Sequence, residues 1–274
     1  MATYVVTGVS RGIGYGFLTH LTKDPKNTVI GIVRNKPVTD KKISEDPELK
    51  GRTNFHILSA DMTDYAALKQ AAADTAKITG GKIDYLIANA GLITLFDAYD
   101  PIGTFADRPK EIEETMRELF DVNVIGNVHL FNLFLPFILK GETKKVIVIA
   151  SAWADPDWTN KYDLTPGSLY GASKAAMNLI TCKYSAQYKK EGVLFLSLSP
   201  GMVEVGLYDG ATKEQAEQLS KTLASLGSDY SPNFSGPITP LQSVEAMQKV
   251  WEKASIEGGY NGAFVSHNDN KIWV

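Results

Sequence analysis

Short apolar runs alternate along the chain with longer segments in which apolar residues recur every three or four positions. The runs are rich in β-branched side chains and lie at 3–7, 28–33, 55–59, 83–88, 145–150, 193–199 and 262–266. Because they are apolar almost throughout, they predict strands that are buried on both faces. Strands of that kind form a parallel sheet covered by helices. The pattern therefore predicts an α/β fold with a doubly wound parallel sheet of about seven strands.

Helical periodicity fills most of the intervals, near 12–23, 64–78, 113–139, 170–190 and 240–256. Two segments, 35–54 and 200–238, interrupt the alternation. The second contains an apolar stripe at helical spacing, formed by Ala216, Leu219, Leu223 and Leu226. We interpret 200–238 as a lid over the substrate, with an ordinary surface loop as the alternative. No repeat or linker divides the chain, so we expect residues 1–274 to form a single domain.

Composition and charge exclude several classes of protein. Apolar residues make up 44% and charged residues 22% of the chain, which is typical of a globular domain and not of a disordered chain. The 28 lysines and arginines against 31 aspartates and glutamates give a net charge of −3, so no basic field favours nucleic acid or an anionic membrane. One cysteine, Cys182, cannot form a disulfide within the chain, and the histidine spacing fits no metal site. Without a signal peptide or a long apolar span, we expect a cytoplasmic, metal-free protein that binds a small molecule.

A glycine-rich turn follows the first predicted strand directly and opens a predicted helix. It reads Thr7-Gly8-Val9-Ser10-Arg11-Gly12-Ile13-Gly14. Glycines allow a tight turn and a close approach of the backbone to a pyrophosphate, whose charge the N-terminus of the helix stabilises. In an alternating α/β chain, this position predicts a nucleotide site of the Rossmann type. Its contacts are predicted at Gly8, Arg11, Gly12, Ile13 and Gly14.

The residue after the second strand indicates which nucleotide binds. An acidic side chain there would bind a ribose 2′-hydroxyl, whereas an arginine accepts a 2′-phosphate. The strand 28–33 is followed by Arg34, and Arg11 in the glycine-rich turn adds a second guanidinium. Both arginines predict NADP(H) as the cofactor, because forked guanidinium donors suit a phosphate. The alternative is that Arg34 is only a solvated residue at a strand end.

Tyr170 and Lys174 lie four positions apart at the start of a predicted helix, so they project from one face. An ammonium group beside a phenol favours the phenolate, which lets the tyrosine exchange a proton near neutral pH. Ser151 follows the strand 145–150, so its hydroxyl is expected at the carboxyl edge of the sheet, where ligands bind in this architecture. The three residues predict an acid-base site that acts on a carbonyl oxygen.

Together these elements resemble the short-chain dehydrogenase/reductase family, in the same order and over essentially the whole chain. The resemblance covers the turn 7–14, an Asp-Met pair after the third strand, an Asn-Ala-Gly element and a Pro-Gly-x-Val element. It implies further cofactor contacts at Asp61, Met62, Asn89, Ala90, Gly91, Tyr170, Lys174, Pro200, Gly201 and Val203. Two positions depart from the family pattern. Ala88 replaces the first asparagine of Asn-Asn-Ala-Gly, and Val205 replaces the threonine that holds the nicotinamide carboxamide.

The resemblance also implies the roles in catalysis. Tyr170 is the general acid in reduction, Ser151 orients the substrate oxygen, and Lys174 lowers the tyrosine pKa and binds the nicotinamide ribose. Asn123 resembles the helix asparagine that holds a water in a proton relay to the lysine. With hydride from the cofactor, the expected function is NADPH-dependent reduction of a ketone. A reductase of imines or enones and a non-catalytic NADP-sensing regulator are the alternatives.

The interval between Ser151 and Tyr170 is longer than in many members of the family. Trp153 and Trp158 in this interval are expected to form a wall of an aromatic or polycyclic pocket, with surface packing as the alternative. The chain resembles the fungal ketoreductase branch that includes norsolorinic acid ketoreductase-like proteins, which implies a secondary-metabolite ketone as substrate. The family pairs the helices that correspond to 113–139 and 170–190, which implies a homodimer or homotetramer.

Overall fold

Parallel strands form the sheet at the centre of the molecule. The computed structural model describes residues 1–206, 209–225, 230, 234 and 236–274, without the side chains of Leu223 and Ser225. Within these residues the strands are β1 Thr3–Thr7, β2 Thr28–Val33, β3 Phe55–Ser59, β4 Tyr85–Ala88, β5 Lys145–Ile149, β6 Leu194–Ser199 and β7 Phe264–Ser266. Their order across the sheet is β3-β2-β1-β4-β5-β6-β7, and every neighbouring pair is parallel. The predicted doubly wound parallel sheet is confirmed.

Helices cover both faces of this sheet. In the described part of the chain they are α1 Gly12–Leu21, α2 Lys36–Glu45, α3 Tyr65–Thr79, α4 Pro109–Phe120, α5 Gly126–Ile138, α6 Pro156–Lys161, α7 Ser168–Tyr188, α8 Lys213–Ser225 and α9 Pro240–Lys253. The predicted helix over 113–139 consists of α4 and α5, joined by a π-helical turn at Asp121–Ile125. The sequence analysis did not predict α2, in the segment 35–54, or α6, between Ser151 and Tyr170.

The start of α2 carries the local signals of a helix. The side chain of Asn35 accepts a hydrogen bond from Val38 N at 3.2 Å, and Pro37 stands in the first turn. Within this helix only Thr39 and Ile43 are buried. Because so few positions face the core, hydrophobic periodicity does not reveal the helix.

The strands alternate their side chains between two hydrophobic cores. In β1, Val6 belongs to the core that α1 and α9 cover, together with Phe17 and Trp251. The ring centroids of Phe17 and Trp251 lie 5.7 Å apart. Val5 belongs to the opposite core with Phe131 of α5. Because both faces are buried, such a strand is apolar almost throughout, and its limits can be read from the sequence.

The continuous stretch Pro109–Ile138 is the one described segment that is long and apolar enough to cross a membrane, with a mean hydropathy of 1.2 over its most apolar window. Half of that window is buried inside the molecule. α5 contributes Phe131, Phe134 and Ile138 to the core on one side of the sheet. Core helices meet the same criteria of length and composition, so packing accounts for the apolar character of α5.

The strand order reverses between β1 and β4. The chain runs outward from β1 to β3 and returns to β4, which pairs with β1 through neighbours such as Val5 and Leu86. In open sheets of this kind, ligands bind in the crevice at the carboxyl ends of the strands where the order reverses. Thr7 ends β1 and Ala88 ends β4, so the segments that follow both residues border this crevice.

A third, smaller core, the aromatic cluster, lies between α6 and the residues after β7. It consists of Trp158, Leu164 and Trp273, with Ala152, Trp153, Tyr162, Tyr230, Phe264 and Val274 packed against them. Trp273 is 1% exposed, and its Nε1 donates to Asp155 Oδ2 at 3.0 Å. Asp155 also accepts from Asp157 N at 3.0 Å, at the start of α6. Trp273 therefore fixes the segment that follows Ser151.

Trp273→Ala should lower the free energy of unfolding by about 3–5 kcal/mol, because it removes a fully buried indole and leaves a cavity. Trp273→Phe should cost less, since an aromatic ring remains and the main loss is the hydrogen bond to Asp155. Urea denaturation followed by circular dichroism measures both changes. Ile272→Ala, at a neighbouring position that is 39% exposed, is the control and should change the free energy by less than about 1 kcal/mol. Equal losses at positions 272 and 273 would contradict the packing role of Trp273.

Candidate active site

The predicted phosphate loop is held against the end of β4. The hydroxyl of Thr7 accepts hydrogen bonds from Asn89 N at 3.1 Å and from Ala90 N at 2.9 Å. The side-chain amide of Asn89 donates to Thr7 O at 2.9 Å. Gly8 has a φ of +77°, and a Cβ at this position would lie 3.0 Å from Ala90 Cα. The left-handed backbone and the close approach both require glycine here, and they bring the predicted cofactor contacts Gly8, Asn89 and Ala90 together.

The N-terminus of α1 fits the pyrophosphate of a dinucleotide. The N-cap residue Arg11 makes no side-chain capping bond, and the first turn contains no acidic residue. A Cβ at Gly14 would collide with the carbonyl oxygen of Gly8, so the turn admits only glycine at this position. Between them, Gly12 and Ile13 begin the helix and are half-buried. Uncapped N–H groups at a helix start bind phosphate oxygens, so these residues fit the predicted nucleotide cofactor.

Arg34 and Asp61 lie close together after the ends of the neighbouring strands β2 and β3. The side chain of Arg34 is 85% exposed, and its Nε lies 3.9 Å from Asp61 Oδ2. Hydrogen bonds from the N–H and the hydroxyl of Thr63, together with the charge of Arg34, lower the pKa of Asp61. Met62 is buried, and its carbonyl oxygen lies 2.6 Å from the position of a Cβ at Gly126. The exposed guanidinium of Arg34 therefore stands beside Asp61, one of the predicted cofactor contacts.

Lys42 is a further cation at the phosphate loop, and the sequence analysis did not predict it. Its Nζ donates to Ser10 O at 3.3 Å and lies 3.9 Å from the centroid of the Tyr15 ring. Arg11 follows Ser10 directly and is exposed. Two cations thus border the loop from different elements. The signal that could have indicated Lys42 is the helix start at Asn35, which fixes the register of α2.

Tyr170 and Lys174 share one face of α7, as their spacing predicts. The Nζ of Lys174 lies 5.8 Å from the centroid of the Tyr170 ring. It donates to Ile149 O, at the end of β5, at 2.9 Å. The side chain of Lys174 is buried, and burial lowers its pKa to about 8. Because desolvation disfavours the ammonium form, this lysine exchanges its proton closer to neutral pH than a surface lysine does.

Asn123 lies in the π-helical turn between α4 and α5 and is 1% exposed. Its Nδ2 donates to Leu92 O at 2.9 Å and to Ser173 Oγ at 3.0 Å, and its Oδ1 accepts from Leu92 N at 2.7 Å. A Cβ at Gly91 would lie 3.2 Å from Asn123 Oδ1 and 3.3 Å from Lys174 Nζ. Asn123, Gly91 and Lys174 therefore meet, as the family resemblance implies. The proton relay through a water stays a prediction.

The turn that carries Ser151 packs on the start of α7. Ser151 Oγ accepts a hydrogen bond from Trp153 N at 3.4 Å. A Cβ at Gly171 would lie 2.6 Å from Trp153 O, and a Cβ at Gly167 would lie 3.5 Å from the indole of Trp153. The two glycines therefore let this turn approach the part of the helix that carries Tyr170. A hydrogen bond from Ser151 to a substrate stays a prediction.

A small cleft that is partly open to solvent lies at this junction. It is lined by Ile93, Thr94, Asp97, Ala98, Trp153, Gly167 and Tyr170. Two predicted substrate contacts, Tyr170 and Trp153, thus line it. Trp158 is 7% exposed and packs against Trp153, with ring centroids 5.7 Å apart, so its contact with a substrate stays a prediction. Asp97, which is 1% exposed, also borders the cleft and was not predicted, because it belongs to none of the motifs.

The segment after β6 contains the predicted cofactor contacts Pro200, Gly201 and Val203 and reaches the phosphate loop at Val205. The carbonyl of Pro200 accepts from the hydroxyl of the fully buried Ser243 at 2.7 Å. Gly201 follows with a φ of +83°. Val205, at the position of the expected threonine, places its Cγ1 3.2 Å from the position of a Cβ at Gly12. Val205 therefore packs on the loop that would hold the pyrophosphate.

Main-chain hydrogen bonds on both sides of Val203 close the base of the predicted lid. Ile238 N donates to Met202 O at 2.8 Å, and Glu204 N donates to Ile238 O at 2.9 Å. Of the apolar stripe in this segment, Ala216 is exposed and Leu219 is half-buried, whereas the side chain of Leu223 and all of Leu226 lie outside the described residues. The lid over 200–238 stays a prediction.

The buried lysine should make the stability of the protein depend on pH. Lys174 has a pKa near 10.4 in an unfolded chain and about 8 in the folded protein. Between these values the folded state binds fewer protons than the unfolded state, so stability rises with pH. Below about pH 8 the buried ammonium lowers the free energy of unfolding by its full amount. Lys174→Met removes the ammonium and therefore this destabilisation. The wild type should therefore gain about 3 kcal/mol relative to Lys174→Met between about pH 8 and pH 10.5.

Urea denaturation of the cofactor-free wild type and Lys174→Met, repeated across this pH range, measures the difference. Lys183→Met replaces an exposed lysine of the same helix and is the control. The difference in the free energy of unfolding between Lys183→Met and wild type should be the same at every pH. A pH-independent difference for Lys174→Met would contradict the lowered pKa.

Comparison with known proteins agrees with this geometry. The model of the short chain dehydrogenase family matches residues 2–225. The chain is 52% identical over 275 residues to the short-chain dehydrogenase/reductase iacC of Pestalotiopsis fici, with 100% of both chains covered. It is also 52% identical over 274 residues to the short chain dehydrogenase virK of Hypocrea virens, again with 100% of both chains covered. The NADPH-bound carbonyl reductase from chicken fatty liver shares the fold, with a TM-score of 0.73 and 23% identity over 98% of each chain.

Proposed function

Because the chain belongs to the short-chain dehydrogenase/reductase family and is an oxidoreductase, we propose that it reduces the ketone group of a small secondary metabolite with NADPH. The observation that carries the proposal is the pairing of Tyr170 and Lys174 at a cleft. The Tyr170 ring lines the cleft, and the buried Lys174 Nζ lies 5.8 Å from its centroid. A regulator that only senses NADP needs no such proton donor, which favours an enzyme.

Each residue around the cleft has a separate role in the proposed reaction. NADPH supplies the hydride that is added to the carbonyl carbon. The Tyr170 hydroxyl donates a proton to the carbonyl oxygen, which completes the alcohol. The Ser151 hydroxyl donates a hydrogen bond to the same oxygen and orients it. Lys174 stabilises the phenolate form of Tyr170 that remains after this proton transfer. Because its pKa is about 8, Lys174 can then return a proton to Tyr170, and the relay that begins at Asn123 resupplies Lys174.

Three cations favour the phosphorylated cofactor. Arg34 stands directly after β2, where an acidic side chain would select NADH. Arg11 lies in the phosphate loop, and Lys42 donates to the carbonyl of Ser10 in the same loop. A doubly charged 2′-phosphate near these groups would form charge-assisted hydrogen bonds that a 2′-hydroxyl does not. The NADPH bound to the chicken carbonyl reductase, which has the same fold, supports this choice.

The lining of the cleft favours an aromatic or polycyclic ketone. The indole of Trp153 offers a flat apolar surface, and Ile93 and Ala98 add aliphatic contacts. The hydroxyl of Thr94 donates to Asp97 Oδ1 at 2.9 Å, so this lining group already has an internal partner. Few polar groups remain for a charged substrate. A flat, uncharged substrate that stacks on Trp153 fits this lining best.

We also propose a homodimer or homotetramer and a cytoplasmic location. Ile125, between α4 and α5, and Leu179 of α7 are 47% and 61% exposed on the helices that the family resemblance assigns to subunit contacts. Association of two copies would bury these side chains. Cys182 is a free, exposed cysteine, which is typical of a reducing compartment.

Tyr170→Phe should reduce kcat by at least about a hundredfold, because the proton donor of the reaction is lost. The Kd of NADPH should change by less than about twofold, since the hydroxyl contributes little to the nucleotide surface. NADPH oxidation with a panel of aromatic ketones and quinones, together with fluorescence titration of NADPH, measures both. Tyr162→Phe removes a hydroxyl from the aromatic cluster and should leave kcat within about twofold of wild type.

Other outcomes of this assay separate the alternatives. Full activity of Tyr170→Phe would mean that another group is the acid. If the wild type reduces imines or enones but no ketone, the ketone assignment is wrong. Tight binding of NADPH without turnover of any of these substrates would favour the regulator.

The wild type should bind NADPH at least about tenfold more tightly than NADH, a preference of about 1.4 kcal/mol that two arginine contacts easily provide. Arg34→Asp should erase or reverse the preference. Lys42→Ala should reduce it, whereas Lys41→Ala is the matched control because Lys41 is 76% exposed and pairs with Glu45. Fluorescence titration with both cofactors measures each Kd. Equal affinities in the wild type would contradict the assignment of NADPH.

A further inference from the structure

The helix that carries Tyr170 has no cap of its own. Its N-cap residue is Gly167, which has a left-handed φ of 69° and no side chain that could accept a hydrogen bond. The first turn contains no acidic residue either. The first N–H groups of a helix lack partners within the helix, so a buried start without a cap is destabilised. The start of α7 is buried, since Leu169 is 3% exposed.

Asp97 caps this helix from a distant part of the chain. Its Oδ2 accepts hydrogen bonds from Leu169 N at 2.7 Å and from Tyr170 N at 3.2 Å, which are the two donors that an N-cap side chain normally satisfies. Its carbonyl oxygen accepts from Gly167 N at 2.6 Å. Asp97 is 1% exposed, and Thr94 Oγ1 donates to its Oδ1 at 2.9 Å. Both carboxylate oxygens are therefore bound, and one of them holds the backbone of Tyr170.

The same residue belongs to the segment 92–98, which forms one side of the cleft through Ile93, Thr94 and Ala98. Asn123 holds the start of this segment through Leu92 N and Leu92 O. Asp97 holds its other end against α7. The buried carboxylate of Asp97 therefore connects the segment 92–98, which lines the cleft, to the backbone of Tyr170.

We propose that Asp97 is a positioning residue, which fixes the Tyr170 hydroxyl relative to the segment 92–98 and so to the substrate. This role rests on the proposed ketone reduction, because it assumes that Tyr170 is the proton donor. A displacement of about 1 Å between a proton donor and its acceptor is enough to slow a reaction by about a hundredfold. Loss of the cap therefore affects the chemical step much more than it affects the nucleotide site.

Asp97→Ala, Asp97→Asn and Asp100→Ala form the test set. Asparagine caps helices about as well as aspartate and keeps one acceptor for Leu169 and Tyr170, whereas alanine keeps none. Asp100→Ala removes an exposed carboxylate from the same loop and is the matched control. The measurements are kcat per NADPH-binding site, KM, the Kd of NADPH, and the isotope effect with NADPH deuterated at the transferred position.

Asp97→Ala should lower kcat at least about tenfold and raise the isotope effect, with the Kd of NADPH within about twofold of wild type. Asp97→Asn should stay within about threefold of wild type in kcat, and Asp100→Ala should be unchanged. A purely structural role would lower the number of NADPH-binding sites but leave kcat per site unchanged, and that result would overturn the proposal. Equal losses of kcat in Asp97→Ala and Asp97→Asn would also overturn it, because asparagine retains the acceptor.

Thr94→Val keeps the proposal testable if Asp97→Ala does not fold. It removes the hydrogen bond to Oδ1 and leaves the carboxylate free to rotate away from α7. Hydrogen exchange at the amides of Leu169 and Tyr170 should then be faster than in wild type, and kcat should fall while the Kd of NADPH stays constant. Unchanged exchange and kcat would overturn the proposal. If the wild type reduces no ketone, the proposed function fails, and the exchange at these two amides still decides whether Asp97 holds the helix.

Discussion

The reversal of strand order between β1 and β4 is the constraint on which the site depends. On either side of it, connections leave the sheet toward opposite faces, so a crevice opens at the carboxyl ends of the strands. The phosphate loop leaves β1 there, Asn89 leaves β4, and Ser151 follows β5 at the same edge. The Thr7 hydroxyl accepts hydrogen bonds from Asn89 N and Ala90 N, and these bonds hold the segments after β1 and β4 together. The candidate cofactor site and the candidate acid-base site therefore lie at a fixed distance from each other, because both are built on the carboxyl ends of these strands.

The burial of Lys174 sets the electrostatics of the acid-base part. An ammonium in the interior is unfavourable, and the carbonyl of Ile149 accepts a hydrogen bond from Nζ at 2.9 Å. The π-helical turn that carries Asn123 is a departure from regular helix geometry, and such turns occur often at functional sites. The buried ammonium costs stability where the chemistry is proposed, whereas the hydrophobic cores on the two faces of the sheet stabilise the fold. This division is expected of an enzyme whose apolar scaffold supports a destabilised site.

The features of the structure that could be predicted from the sequence are those that depend on residues close together in the chain. β1 and β2 have the predicted limits because strands buried on both faces are apolar almost throughout. Tyr170 and Lys174 could be paired because four positions on one helix define a face. Asp97 and Lys42 could not be found in this way, since their partners lie 72 and 32 positions away. The cap at Asn35 marks the start of α2, but no local pattern marks the contact of Lys42 with Ser10. The individual roles of the site residues and the lid stay predictions.

Residues 93–96 form a short bridge between two anchored positions. Asn123 binds Leu92 on one side, and the helix start binds Asp97 on the other. Within the bridge, Leu95 is 55% exposed and Ile93 faces the cleft. Related enzymes can therefore diverge in substrate range by exchanging the side chains at positions 93 and 95, while Thr94 and Asp97 keep the proton donor in place. An insertion or deletion would break one of the two anchors, so evolution of this wall should proceed by substitution at constant length.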